Sequence, residues 1–559
     1  VTPYPFRSLR TLPLALFLVL RRALAHRARR QDFIDAFGAE QGGQIWGALL
    51  AAAWLKPQNS GKEGLVLRSS SYGSQHFTGP LEPYADASLV TRIMQILDAR
   101  VVLVAYGDNA NLSTSVAKAI GALHAPAIAD NPTAKELRAE LNRFLDAQAA
   151  GYASLVDEDV QMFSFGRDET TGKFFGWNDD DDNWVVGHQD YLVNEFRDPT
   201  MFVVARFDLS ETLLRNLGFK IRSYDTADSR CLFTLVPYEG SAFQSFGLDL
   251  GMPLMDHPIW RMILENAVDI HLDYAKRNGL PGFLSESYSG EGTDYTGSLG
   301  LPDFAVTAVP REVHGPSLYT LGTAYQIASA KVNAFVQSHD AVIRSLYTEH
   351  GPWEGYQVER QEAIQFQTTA HTLSLILGAL GHGPENMRRY LAAQGLSDRV
   401  QQLYHHGKAI DLLGPGMGIT PWASDGAAIS ATREGESVAV RSESAGMAGV
   451  AFTMPEGKAQ SLAGGVLQIR YQAARAVDNV RIVPKGPNPL PKKVIPIDIQ
   501  TRFAVTGLEP GLLRIPLPPT ASLSDVLKIE LNLQGEGPEK PQIFILREFS
   551  FTPMPPDSR

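Results

Sequence analysis

The stretch Leu412–Trp422, "LLGPGMGITPW", divides this chain more sharply than any other. Its three glycines and two prolines end any helix that enters it. Upstream, from about residue 85 to residue 410, apolar residues recur at helical spacing over Ala87–Leu103, Ala134–Ala150, Asp190–Val204, His257–Arg277, Leu318–Ser338 and Gln367–Leu380. Downstream, they alternate. Ser437–Arg441, Val466–Tyr471, Leu512–Leu517, Val526–Leu533 and Gln542–Phe551 read as strands between Pro- and Gly-rich turns. A fold that is mainly α, followed by a β-domain, is the only class that fits both halves.

A series of roughly ten to twelve helices is too long for a simple bundle. Two concentric rings of helices, an (α/α)6 barrel, would bury all of them. An α-solenoid is the rival, but no repeat of fixed period is present. The strands of the second part suggest a β-sandwich of jelly-roll type. The expected organisation is therefore a candidate leader over residues 1–25 and an N-terminal extension over 26–80. The helical domain follows over 81–415, and the sandwich over 426–559.

A chain of 559 residues is too long for one ordinary domain, and two or three are expected. Its charged content of 20% and apolar content of 44% are those of a globular protein. A net charge of −11 speaks against nucleic acid, whose phosphates call for clustered Lys and Arg. The single cysteine, Cys231, excludes an internal disulfide framework and any multi-Cys zinc site. At the start, Arg7 and Arg10 precede the apolar run Leu12–Leu20 and then Ala23-Leu24-Ala25, the order of a secretory leader. Arg21 and Arg22 sit where a cleavage region prefers neutral residues, so an ordinary N-terminal helix stands as the alternative. Periplasmic or secreted location is the expectation. No other segment is long and apolar enough to span a membrane.

Four polar clusters interrupt the helical part. The first runs from Phe163 to Arg197, with Trp177, Trp184, Asp190, Glu195 and Arg197. Its run Asp179–Asp182 offers oxygen ligands but lacks the alternation and closing Glu of an EF-hand, so a solvated acidic turn is expected. The second, "VPYEGSAFQSFGLDLGMP", holds Gln244. The third, "GFLSESYSGEGTDY", holds Glu286, Tyr288, Asp294 and Tyr295. The fourth, "HGPWEGYQ", sets Trp353 and Tyr356 around Glu354. Aromatic rings beside carboxylates suit sugar chemistry: rings stack on pyranose C–H faces, and glycosidic cleavage uses two carboxyl groups. No H-E-x-x-H zinc pattern, G-x-S-x-G elbow or phosphate-binding loop competes, and neither a metal nor a cofactor is expected.

Collinear with these clusters is a set of matches to a known family. "MFSFGRDETTGKFFGW" and "QDYLVNEFRDPTMFVVA" are followed by "GSAFQSFGLDLGMP", "GLPGFLSESYSG", "LGLPDFAV", "HGPWEG" and "AHTLS". Together, over roughly residues 160–385, they resemble the glycoamylase-like domain found in cyclic β-1,2-glucan synthases and related stand-alone proteins, whose relatives include endo-β-1,2-glucanases. The resemblance implies an (α/α)6 barrel acting on a glucan. It places Asp190, Glu195 and Arg197 on the family's acidic helix motif. Glu286 falls on the glutamate of its "SES" motif, Glu354 on a later acid and His371 on a histidine. Where the family has a glutamate in the "GSMFEYLMP" motif, this chain has Gln244, which weakens any inference about specificity.

The resulting expectation is a glycoside hydrolase or transglycosylase with an oligosaccharide or polysaccharide substrate. Glu195 is acid/base, Glu286 is nucleophile and Glu354 stands in for either. Asp190, Arg197, Gln244, Tyr288, Asp294, Tyr295, Trp353, His371 and Trp177 are the candidate sugar contacts. A non-catalytic glycan-binding protein that keeps the barrel is the alternative, and Gln244 is its best support. A polysaccharide lyase fits less well, since acid-rich loops do not suit a uronate substrate.

Overall fold

The structure is a computed structural model. It describes residues 68–69, 102–168, 172–178, 184–247, 251–285, 287–288, 295–296, 300–302, 304–306, 318–348, 351–353, 355–357, 361–364, 370–485 and 502–556. The candidate leader, the acidic run Asp179–Asp182, and Glu286, Asp294 and Glu354 lie outside the described residues. The chain divides into two compact units. One comprises Val1–Ala105 with Asp168–Lys173, the other Tyr106–Arg167 with Phe174–Arg559. In the first, Arg68–Ser69 pairs antiparallel with Val102–Ala105. Val102 and Leu103 were expected at the end of a helix. The β-branched Val102 and Val104 favour a strand instead.

In the second unit the helices follow their apolar spacing. Pro258–Asn278 shows why. Proline at the first position costs no hydrogen bond, because that N–H has no helical acceptor. Gly279, at φ 64, takes the left-handed conformation that closes the C-terminus, and Lys276 and Arg277 face the negative end of the helix dipole. Ile259, Trp260, Ile263, Leu264, Ala267, Val268, Ile270 and Leu272 are buried. Each large apolar side chain among them contributes about 1.5–3 kcal/mol relative to exposure. Tyr319–Ser338 packs against both this helix and Ala370–Leu380. No helix among the described residues is long and apolar enough to cross a membrane.

Asp190–Val204 departs from the expected helix. The helix begins only at Arg197 and runs to Arg206. Ahead of it, Tyr191 forms a parallel bridge with Gly218, and the chain then bends and turns up to Phe196. Asp190 and Glu195 therefore stand on a loop rather than on one helical face.

The five expected C-terminal strands are present, slightly lengthened, and others join them. One sheet runs Ile429–Glu434, Ser437–Ser442, Gln542–Pro553, Gly465–Ala473, Gly511–Leu517, with Ile410–Asp411 also paired to Gln542–Pro553. The other runs Gly418–Ala423, Met447–Thr453, Val526–Gln534, Val477–Pro484, Phe503–Leu508. The two sheets meet through contacts such as Phe452 on Phe549, with ring centroids 5.1 Å apart. The second sheet does not stop at the C-terminal strands. Phe219–Asp225 adds in parallel to Phe503–Leu508, with Phe219 opposite Phe503, and Cys231–Leu235 adds beyond it. A hairpin from the helical part thus completes a sheet of the β-rich part.

Candidate active site

The segment that follows this hairpin, residues 236–247, is where the sequence motifs meet. Tyr191 donates its hydroxyl to the Val236 carbonyl (2.7 Å) and accepts from the Lys220 amide (3.0 Å). Its ring packs on Tyr238, with centroids 4.7 Å apart. These contacts fasten the 190–197 loop to the 236–247 segment. That segment ends in a π-helical turn, Phe243–Gly247, a geometry frequent at functional sites. Gln244, half-buried, sits inside this turn.

The third motif is fastened to the second at one hydroxyl. The Ala242 amide donates to the Leu284 carbonyl (3.0 Å) and the Phe243 amide to Ser285 Oγ (2.9 Å). Ser285 Oγ also meets Ser241 Oγ at 3.0 Å and Tyr319 Oη at 2.8 Å. A serine hydroxyl has one proton and two lone pairs, so these three partners use all of its capacity. Glu286 follows directly on this fixed residue. Phe243, Tyr319 and Leu375 form one apolar cluster, which brings in the helix that carries His371. The strand Gly351–Pro352 lies against that same helix, just ahead of Trp353. Behind the third motif, His271 is buried between Phe246 and Phe283, at 5.3 and 5.7 Å between ring centroids. Burial pushes its imidazole down to about 3, so it remains neutral and packs in the core.

Glu195 is the titratable group that stands out. Burial raises its carboxyl to about 7, a backbone hydrogen bond opposes the rise, and the nearby charges of Glu239 and Asp108 push the same way as burial. A carboxyl in that range holds a proton near neutral pH and can still release it, which is what general acid work needs. Glu239 lay inside a quoted cluster and was passed over, as was Asp108.

The remaining candidates fall as follows. Asp190 is ion-paired with Arg502, whose Nη1 also donates to the Asp190 carbonyl at 3.3 Å. Arg197, expected to bind a sugar hydroxyl, is only 4% exposed. Its guanidinium lies over the Trp260 ring (5.0 Å to the centroid) with Nε 3.5 Å from Asp198 Oδ1. It is thus buried beside Asp198 and Trp260. Trp353 is half-buried and its amide donates to the Leu346 carbonyl at 2.7 Å. Tyr356 is 5% exposed and therefore packs inside rather than forming an open wall. For Trp177, Tyr288, Tyr295 and His371 the backbone alone is described. Trp177 lies opposite Val185 in a two-stranded ladder, and Tyr288 opposite Tyr295 in the hairpin formed by the third motif. Among the described residues no group of three or more His, Cys, Asp or Glu is placed to hold a metal ion.

No family model and no curated protein matches the chain. Among solved structures it is similar to an endo-β-1,2-glucanase from Talaromyces funiculosus in complex with sophorose. The identity is 15% and the TM-score 0.44, over 54% of this chain and 62% of that one. The chain thus spans less than two thirds of the length of that enzyme. It is also similar to an endo-β-1,2-glucanase from Chitinophaga pinensis in complex with sophorotriose and glucose. There the identity is 12% and the TM-score 0.40, over 69% of this chain and 84% of that one.

Proposed function

We propose that this protein is a glycoside hydrolase or transglycosylase of glucans, with β-1,2-linked glucan, linear or cyclic, as its substrate. The observation that carries the reading is Glu195. It is a carboxyl raised to about 7, on a loop fastened through Tyr191 to the segment that also positions the third motif. The substrate class is supported by the collinear motif resemblance. On this reading the helical part is an (α/α)6 barrel and the β-rich part a jelly-roll-like sandwich. Export to the periplasm or beyond, supported by the order of residues from Arg7 to Ala25, belongs to the same proposal.

In the proposed chemistry, Glu195 gives its proton to the glycosidic oxygen as the bond to the anomeric carbon breaks. Glu286 attacks that carbon, and water or a second sugar hydroxyl then displaces it with Glu195 acting as base. Carboxyl groups roughly 5 Å apart would give retention, and about 6.5–9.5 Å would give inversion with Glu286 activating water. Glu354 is the substitute for either role. Gln244, an amide where the family has an acid, serves as a hydrogen-bond partner to a sugar hydroxyl.

The test is product analysis by chromatography and mass spectrometry. Wild type, Glu195→Gln and Glu286→Gln are incubated with linear and cyclic β-1,2-glucans and a panel of other α- and β-glucans. Cleavage of the β-1,2 members that disappears in both variants is the expected result. Anomer-resolved NMR of the first product then separates retention from inversion. Gln244 favours one second reading, a glycan-binding protein without turnover. Calorimetric binding of a glucan that wild type leaves intact would establish that reading and reject the enzyme.

A further inference from the structure

We propose that Arg502, carried on the C-terminal sheet, is a positioning residue of the candidate active site: by gripping Asp190 it holds the loop that presents Glu195. The inference rests on the proposed function and assigns the β-rich part a share in it. Arg502 directly precedes the strand Phe503–Leu508 and is 5% exposed. It pairs with the Asp190 carboxylate and donates to the Asp190 carbonyl, across 312 residues of sequence. A bidentate guanidinium fixes direction as well as distance.

From Asp190 further hydrogen bonds run along the loop. Its carbonyl also accepts from the Gly218 amide (2.8 Å), and the Gly218 carbonyl accepts from the Leu192 amide (2.7 Å). Asn194 then bridges both sides of Glu195. Its Nδ2 donates to the Tyr191 carbonyl (3.0 Å) and its Oδ1 accepts from the Phe196 amide (2.8 Å). Gly218 is the slot through which the arginine passes. A Cβ there would lie 2.5 Å from Arg502 Cβ and 2.7 Å from its Cδ. The parallel pairing of Phe219–Asp225 with Phe503–Leu508 places Arg502 beside that slot. A second link between the same parts, Arg215 to Asp525 at 2.8 Å, is exposed and does not touch the loop. It provides the control.

The experiment compares Arg502→Gln, Arg502→Lys, Asp190→Asn, the Arg502→Gln/Asp190→Asn double variant, Gly218→Ala and Arg215→Gln with wild type. The readouts are kcat and KM on β-1,2-glucan and hydrogen exchange of the 190–197 amides. Displacing a reacting group by about 1 Å can cost on the order of 100-fold. Arg502→Gln, Asp190→Asn and Gly218→Ala are therefore each expected to lower kcat by about 10- to 100-fold, with KM changed less than about 3-fold. The Leu192 amide should exchange faster in all three. The double variant should be no worse than the worse single, because the two residues act as one unit. Arg215→Gln should match wild type. Normal kcat and normal loop exchange in folded Arg502→Gln, or additive losses in the double variant, would overturn the proposal. Should Arg502→Gln not fold, Arg502→Lys, which keeps the charge and loses the fork, is subject to the same criteria. Should wild type cleave no glucan, the proposed function fails on its own, and the exchange data alone decide the positioning role.

Discussion

Replacing Glu195 by glutamine removes a titration whose direction is fixed by the fold. The carboxyl rises from 4.5 to about 7 on folding, first because it is buried and then because Glu239 and Asp108 oppose a further negative charge. At 1.36 kcal/mol for each tenfold change in proton affinity, the interval corresponds to about 3 kcal/mol. Glu195 keeps part of its surface in solvent, and screening there trims the effect to about 1–2 kcal/mol. The sign follows from proton binding. Between 4.5 and 7 the folded state holds a proton that the unfolded state has lost, so wild type loses stability as pH rises through this window. Below it both states are protonated and nothing is lost. Glutamine, neutral throughout, should therefore unfold like wild type at pH 4 and be more stable by about 1–2 kcal/mol at pH 8. Urea titrations followed by tryptophan fluorescence at the two pH values give the difference. A carbon-13 titration of the Glu195 carboxyl gives its proton affinity directly, and the acidic form should persist to about pH 7. Wild-type kcat should then fall above that pH while the glutamine variant is inactive throughout. Equal stability of the two proteins at pH 8, with a carboxyl titrating in the ordinary range, would refute the reasoning.

Ser285→Ala takes away the partner of the Phe243 amide and of two hydroxyls, and is expected to cost about 1–3 kcal/mol. On the proposed function it should also lower kcat, because Glu286 follows Ser285 directly in the chain; thermal melts and steady-state kinetics read the two effects. Arg197→Gln leaves Asp198 buried without its cation and is expected to destabilise by about 3–5 kcal/mol. A soluble, stable variant with a raised KM would restore Arg197 to the sugar contacts. Partial burial of the sulfur and the neighbouring Asp225 carboxylate push the Cys231 thiol up to about 11. Although exposed, it should react with a disulfide reagent at pH 8 more slowly than a free thiol in a peptide, as followed by absorbance.

The sequence by itself determined what depends on near neighbours. The spacing over His257–Arg277 and its Asn278-Gly279 stop appear as a helix capped at Gly279, and the alternation over Ser437–Arg441 and Gln542–Phe551 appears as strands. The residue types around Glu195, Gln244 and Glu286 marked segments that the fold brings into contact, because carboxylates, amides and small hydroxyls stand out locally. Tertiary structure decided the rest. The periodicity of Asp190–Val204 fits a helix, yet Tyr191 bridges to Gly218 and bends and turns follow it up to Phe196. Arg197 has the composition of a ligand and the surroundings of a core residue. The Phe219–Leu235 hairpin carries no mark of its partner, since a strand edge can pair with any other edge that reaches it. Arg502 has no motif at all. Its meaning arises only when the fold brings it to Asp190 across 312 residues, because the energy of an ion pair depends on distance in space and not on distance along the chain.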